Sequence, residues 1–176
     1  MRAAKIMVAA VMLTAGAAGA QERYRERYND APFSPFAANL WAGVAYDYIN
    51  DNGGTLTGSN NLGFNFGGDL GLRFTPFFGI VVLAEYVPIL SISAPASVVN
   101  AGVGVRLTPS PWTQFVLAGT YSRLGGAYGD LPGFGLKAIG FAPVLSGFGP
   151  YLQLAYNNFS NQVTLVNVNA GISYSF

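Results

Sequence analysis

The feature that most restricts the fold of this chain is a long alternation of apolar residues with small or polar ones. It begins near Asn39 and continues to Phe176. Successive side chains of a β-strand point to opposite faces, so the pattern predicts strands with one apolar face and one small, polar face. Turn-forming residues divide it into eight segments. The predicted strands cover residues 39–50, 63–74, 79–88, 97–108, 113–123, 133–143, 150–158 and 163–176.

The small number of charged residues narrows the choice further. They make up 10% of the sequence, whereas an ordinary soluble domain has roughly 25%. The longest apolar run, residues 79–94, is interrupted by Glu85 and Pro88, and a spanning helix needs about 20 apolar residues. Backbone polar groups in lipid must form hydrogen bonds within the protein, so only helices or closed β-barrels can span a membrane. Without a spanning helix, the closed barrel remains. We therefore expect an all-β fold, an eight-stranded antiparallel up-and-down transmembrane β-barrel.

The N-terminal segment has the composition of an export signal. Arg2 and Lys5 precede an apolar stretch and the small residues Ala18, Gly19 and Ala20, which predicts a cleaved signal peptide over residues 1–20. Its removal takes two of the nine basic residues and leaves seven against eight acidic ones. Such a balance gives no reason to expect a nucleic acid as a partner.

The remaining chain divides into an arm and a barrel. Residues 21–38 are rich in charge and contain two prolines, so we expect a periplasmic arm there and the barrel over residues 39–176. The predicted connections alternate in length. Those at 75–78 and 108–112 are tight and contain proline, whereas those at 50–62, 89–96 and 124–132 are longer and richer in Gly, Asn and Ser. Outer-membrane barrels have short periplasmic turns and longer outer loops, and an even number of strands would place both termini in the periplasm.

The apolar face is expected to contact lipid, because the opposite face consists mostly of small residues instead of the Lys and Glu of a soluble, lipocalin-like barrel. Aromatic residues are predicted at both ends of the strands, as in membrane-interface girdles. The girdle at the periplasmic end would contain Trp41, Phe74, Trp112, Phe115, Tyr151, Tyr174 and Phe176. The outer girdle would contain Tyr46, Tyr48, Phe64, Tyr86, Tyr121, Phe134 and Tyr156.

With this orientation, three acidic and three basic residues face the lumen and their charges cancel. They are Asp47, Asp69, Glu85, Arg73, Arg106 and Lys137. Because buried charges need partners, we expect a network of salt bridges that braces the lumen. A selectivity ring is an alternative, although such rings usually carry one sign of charge. A further alternative is an acid/base pair of Asp69 and Glu85.

Many other lumen positions are small, and ten of them are Gly or Ala: Gly43, Ala45, Gly67, Gly71, Gly102, Gly104, Ala118, Gly135, Ala155 and Gly171. An apolar lining is expected from Val81, Leu83, Val116, Ile139 and Phe141. Two outcomes are open. The small residues leave a cavity for a small hydrophobic ligand or acyl chain, or larger neighbours and the charged network fill the space.

The last strand carries a family resemblance. Ile172, Tyr174 and Phe176 alternate with small residues and the segment ends on an aromatic. This resembles the closing strand of bacterial outer-membrane β-barrels, where it is the insertion signal for the barrel-assembly machinery. As a whole the pattern is similar to the small eight-stranded outer-membrane proteins, the OmpA-, OmpX- and OmpW-like and opacity-type group. The resemblance implies a Gram-negative outer membrane and contact with its lipid.

The sequence offers little for catalysis. It contains no His and no Cys, so neither a Ser-His pair nor a thiolate metal site can form, and we predict no cofactor. We therefore expect a non-enzymatic envelope protein with a structural or surface-interaction role. The alternative is OmpW-like binding or passage of small hydrophobic molecules through the Gly-lined lumen, and a lipid-modifying enzyme is a distant third.

Overall fold

Eight strands form because each segment can bury a face of small and polar residues inside the barrel while its apolar face points outward. The computed structural model describes residues 34–51, 59–90, 95–110, 112–126, 129–144, 146–160 and 162–176. The predicted all-β fold is confirmed. The strands are β1 Phe36–Asp51, β2 Ser59–Arg73, β3 Phe78–Leu90, β4 Ala96–Ser110, β5 Thr113–Gly126, β6 Leu131–Phe141, β7 Phe148–Phe159 and β8 Val163–Ser175.

Each strand pairs with the next in antiparallel fashion, and β8 pairs with β1 to close the barrel. At this seam Gly43 lies opposite Gly171. The backbone N–H of Phe176 donates to the carbonyl of Ala38 at 2.9 Å, so pairing continues to the end of the sequence. Closure satisfies the backbone groups that an open sheet edge would leave unpaired.

Within the described residues, no helix is long and apolar enough to cross a membrane.

Several strands extend beyond their predicted bounds. β1 begins at Phe36, which lies inside the predicted arm and pairs with Leu72 of β2. β5 continues to Gly126, which pairs with Ala96. Glycine in a sequence suggests a loop, but a neighbouring strand can still provide its hydrogen bonds, and this tertiary pairing overrides the local signal. The predicted signal peptide and residues 21–33 of the predicted arm lie outside the described residues.

The connection between β2 and β3 lies at the same end of the barrel as the first residue of β1 and the last of β8. The Thr75 hydroxyl accepts hydrogen bonds from the N–H groups of Phe77 at 3.2 Å and Phe78 at 3.0 Å. Such a side-chain bond stabilises a tight turn. We call this end of the barrel the turn end and the opposite end the loop end.

The outer surface is apolar. Large hydrophobic side chains on it are strongly exposed, and Leu70 in the middle of β2 is 67% exposed. Aromatic residues surround both ends as predicted, with two exceptions. Trp41 and Tyr151 were expected in the girdle at the turn end, and this prediction is wrong because both side chains are buried in the lumen. They have the same parity as Gly43 in β1 and Gln153 in β7, so they share the inner face with these residues.

Candidate functional site

The candidate site is the interior of the barrel, where side chains are arranged in layers along the axis. Every second residue of β3 shows the order: from the turn end come Val81 and Leu83, then Glu85, then Val87 and Ile89. The two apolar layers correspond to two separate clusters of buried side chains. We call them the turn-end cluster and the loop-end cluster, and the layer between them the central polar layer.

Glu85 is the centre of the central polar layer. Its carboxylate forms a salt bridge with Lys137, and both side chains are fully buried. Oε1 accepts hydrogen bonds from Asn65 at 2.5 Å and Gln153 at 2.7 Å, and Oε2 accepts one from Asn100 at 2.8 Å. A buried carboxylate with one cationic partner and three amide donors has its charge compensated from several strands at once.

Asn100 extends this layer to the other side of the barrel. Its side-chain oxygen accepts a hydrogen bond from the Ser122 hydroxyl at 2.6 Å. That hydroxyl also lies 2.9 Å from the side-chain oxygen of Asn157. The polar layer therefore connects β2, β3, β4, β5, β6 and β7 across the lumen.

A second salt bridge lies nearer the turn end. Arg106 of β4 contacts Asp69 of β2, and both are buried. The Asn39 amide donates to Asp69 Oδ2 at 3.1 Å. Asp69 and Glu85 therefore each have their own cationic partner. This arrangement does not favour the acid/base pair that was one of the open alternatives.

The other two charged residues are not joined in the same way. Asp47 lies near the loop end of β1, next to Ile49 of the loop-end cluster, whereas Arg73 is the last residue of β2 at the turn end. All six charged residues lie on the lumen face, but in the described part of the chain only two lumen salt bridges form, Asp69–Arg106 and Glu85–Lys137. The alternation indicates which face of the strand a residue occupies, but it does not indicate how far along the barrel axis that residue lies.

The predicted apolar lining lies in the turn-end cluster. Val81, Leu83, Val116, Ile139 and Phe141 are all buried there, together with Ala118. Trp41 and Tyr151, which were assigned to the outside, complete it. The Trp41 ring centroid lies 5.6 Å from that of Phe141 and 6.4 Å from that of Tyr151. Parity with Gly43 and Gln153 was the signal that could have identified both.

The lumen glycines lie under these larger side chains. A Cβ atom on Gly67 would overlap the Trp41 ring, and one on Gly43 would lie 2.5 Å from the Tyr151 hydroxyl. Similarly, a Cβ on Gly71 would lie 3.0 Å from Val81 and 3.3 Å from Arg106 Nη1. The sequence left open either a cavity or a lumen filled by larger neighbours. At these three glycines, larger neighbours occupy the space.

The loop-end cluster covers the central polar layer from the other side. It contains Ala45, Ile49, Val87, Ile89, Ala96, Val98, Leu124, Phe159, Val163 and Leu165. Contributions come from six strands, and the largest member, Phe159, is 0% exposed. The polar layer is therefore enclosed between two apolar layers.

The residues of the predicted insertion signal are on or near the outer surface at the turn end. Ile172 and Phe176 are exposed and Tyr174 is half-buried. The Tyr174 ring centroid lies 4.5 Å from that of Phe148 and 4.6 Å from that of Phe176. Together they form an aromatic patch next to the seam between β8 and β1.

Comparisons with known proteins bear on the fold. No protein-family profile matches this sequence, and no curated protein matches it. Among solved structures, the chain is similar to Ail, the attachment invasion locus protein of Yersinia pestis, with 11% identity over 82% of this chain and 100% of that one, at a TM-score of 0.57. It is also similar to Neisserial surface protein A, with 16% identity over 81% and 98% of the two chains, at a TM-score of 0.55. The chain therefore has the fold of the small eight-stranded outer-membrane β-barrel proteins.

Proposed function

We propose that this chain is a non-enzymatic integral protein of the bacterial outer membrane, with a structural or surface-interaction role in the envelope. In this proposal an N-terminal signal peptide directs export, both termini are periplasmic, and the outer surface contacts lipid. The aromatic patch of Tyr174, Phe148 and Phe176 would serve the barrel-assembly machinery during insertion.

The observation that carries the proposal is the filled lumen. Two apolar clusters enclose a polar layer in which Glu85 is bonded to Lys137 and three amides. An ion or solute would have to displace buried side chains at both ends, at the cost of exposing apolar surface and breaking charged hydrogen bonds. Such an interior stabilises a barrel and leaves recognition to the loops at its end.

The alternative, binding or passage of small hydrophobic molecules through a Gly-lined lumen, has less support. Passage needs room above the glycines, and the Trp41 and Tyr151 side chains lie over Gly67 and Gly43. An enzymatic role has less support again, because Asp69 and Glu85 are each held in a salt bridge.

Planar-bilayer recordings of the purified protein test the proposal. We expect no conductance steps from the wild-type protein. The double variant Phe159→Ala/Trp41→Ala, which removes the largest side chain from each of the two apolar clusters, should raise the leak through the barrel. Leu152→Ala, which shortens a side chain on the lipid face of the same strand as Phe159, is the matched control and should leave the membrane sealed. Steady conductance by the wild-type protein, or a stoichiometric co-purified hydrophobic molecule found by mass spectrometry, would instead support the passage hypothesis.

A further inference from the structure

Asp47 differs from the other two acidic residues of the lumen. Its side chain is 0% exposed, yet it belongs to neither of the lumen salt bridges among the described residues. Neither of its carboxylate oxygens has a hydrogen bond of good geometry, and the polar group beside it is the Asn167 side chain. Glu85, at similar burial, has Lys137 and three amides. A buried carboxylate without a cationic partner is costly, so its charge needs compensation.

Two amide side chains lie beside Asp47 with unused polar atoms. Asn167 of β8 is directly opposite Asp47 in the β1–β8 ladder, and Asn169 is opposite Ala45, the next inward residue of β1. Both are 0% exposed, and both have a side-chain oxygen and nitrogen without a partner. Three neighbouring side chains on one wall of the lumen therefore carry oxygen atoms without a hydrogen bond of good geometry.

The neighbouring strand β2 has a glycine beside the carboxylate. Asp47 Oδ2 lies 3.1 Å from the position that a Cβ atom on Gly63 of β2 would occupy. Any larger residue at Gly63 would crowd the carboxylate.

The chemistry of these atoms indicates a class of ligand. Carboxylate and amide oxygens are ligands for hard cations, and the number of charged ligands tunes which cation binds and how tightly. In the described ranges no group of three or more His, Cys, Asp or Glu side chains lies together. A donor set with one negative charge and no nitrogen or sulfur ligand suits a singly charged cation better than zinc or calcium.

We propose that the lumen binds one sodium ion between the Asp47 carboxylate and the side-chain oxygens of Asn167 and Asn169. The ion neutralises a lumen carboxylate that has no cationic partner among the described residues, and it joins β1 to β8 where the barrel closes. This site is independent of any role in envelope structure or surface interaction, because it depends only on the interior.

Sodium-dependent unfolding tests the site. The refolded wild-type protein in phosphatidylcholine vesicles is unfolded in urea at constant ionic strength, with NaCl replaced by choline chloride. For a ligand that binds only the folded state, well above its dissociation constant, each tenfold rise in concentration raises the folded-to-unfolded ratio about tenfold. We expect that dependence for the wild-type protein and its loss in Asp47→Asn. Asp130→Asn, the same chemical change at an exposed acid, is the matched control and should retain it.

The results separate the outcomes cleanly. A wild-type stability that does not respond to sodium would overturn the proposal and indicate a carboxyl group held neutral or hydrated by water. A sodium dependence that persists in Asp47→Asn would also overturn it, because the ion would then bind elsewhere. If Asp47→Asn does not fold, Asn167→Ala takes its place, and a thallium(I) soak of wild-type crystals gives a direct readout. An anomalous peak beside Asp47 supports the site, and its absence from the lumen contradicts it.

Discussion

The salt bridge between Glu85 and Lys137 allows a quantitative test of the lumen architecture. Lys137→Met keeps the length and the apolar stem of the side chain and removes only the charge. It leaves the Glu85 carboxylate buried without a cation. Breaking a buried pair in this way typically costs about 3–5 kcal/mol.

The surroundings of Glu85 place the expected loss of stability at the lower end of this range. The amides of Asn65, Gln153 and Asn100 would still donate to the carboxylate, and hydrogen bonds to charged groups contribute about 1.5–3 kcal/mol each. We therefore expect Lys137→Met to lower the free energy of unfolding by about 3 kcal/mol. The double variant Glu85→Gln/Lys137→Met removes both charges and retains an oxygen that can accept from the amides, so it should recover most of that loss.

Urea unfolding in lipid vesicles, followed by tryptophan fluorescence, measures these differences. Trp41 lies in the turn-end cluster and reports on the loss of the interior packing. The exposed pair Arg123–Asp130 at the loop end provides the control. Arg123→Met should change stability little, because exposed ion pairs contribute little. The reasoning is refuted if Lys137→Met is no more harmful than Arg123→Met, or if the double variant is as unstable as the single one.

Two further tests examine the packing of the lumen and the orientation of the outer face. Gly67→Val places a side chain against the Trp41 ring and should lower the free energy of unfolding in urea by about 1–3 kcal/mol through overpacking. The control is Gly119→Val on the lipid face, which has nothing within 4 Å of its Cβ position and should be close to neutral. Equal effects of the two substitutions would contradict a filled lumen. Leu154→Arg puts a charge at the centre of the apolar outer surface and should cost about 2–4 kcal/mol in a bilayer. An unchanged unfolding free energy in vesicles would mean that hydrocarbon does not contact this face.

Part of the candidate site could be derived from parity alone. Alternation in β2 assigns Asp69 and Arg73 to the side opposite Leu70, and the structure has them on the lumen face. The same rule, applied to β1 and β7, would have placed Trp41 and Tyr151 inside. Their chemical preference for a membrane interface suggested the outside instead, but a side chain on a strand cannot change face without a shift in register.

The partners of each charged residue could not be derived in that way. Residues 69 and 106 come from strands that are not neighbours, and so do residues 85 and 137. Which side chains meet across the lumen depends on the register of every strand pair and on the tilt of the strands in a closed barrel. No local pattern contains that information.

The sequence by itself determined that this chain forms strands, how many there are, and that their apolar face points outward. The reason is that an alternation with a period of two residues and a shortage of charged residues allow few other folds. Only the tertiary structure decided that aromatic rings lie over lumen glycines, that Glu85 meets Lys137, and that Asp47 has no salt bridge among the described residues. Contacts across a closed barrel depend on the positions of distant residues along the barrel axis. These relative positions are fixed only when the eight strands close.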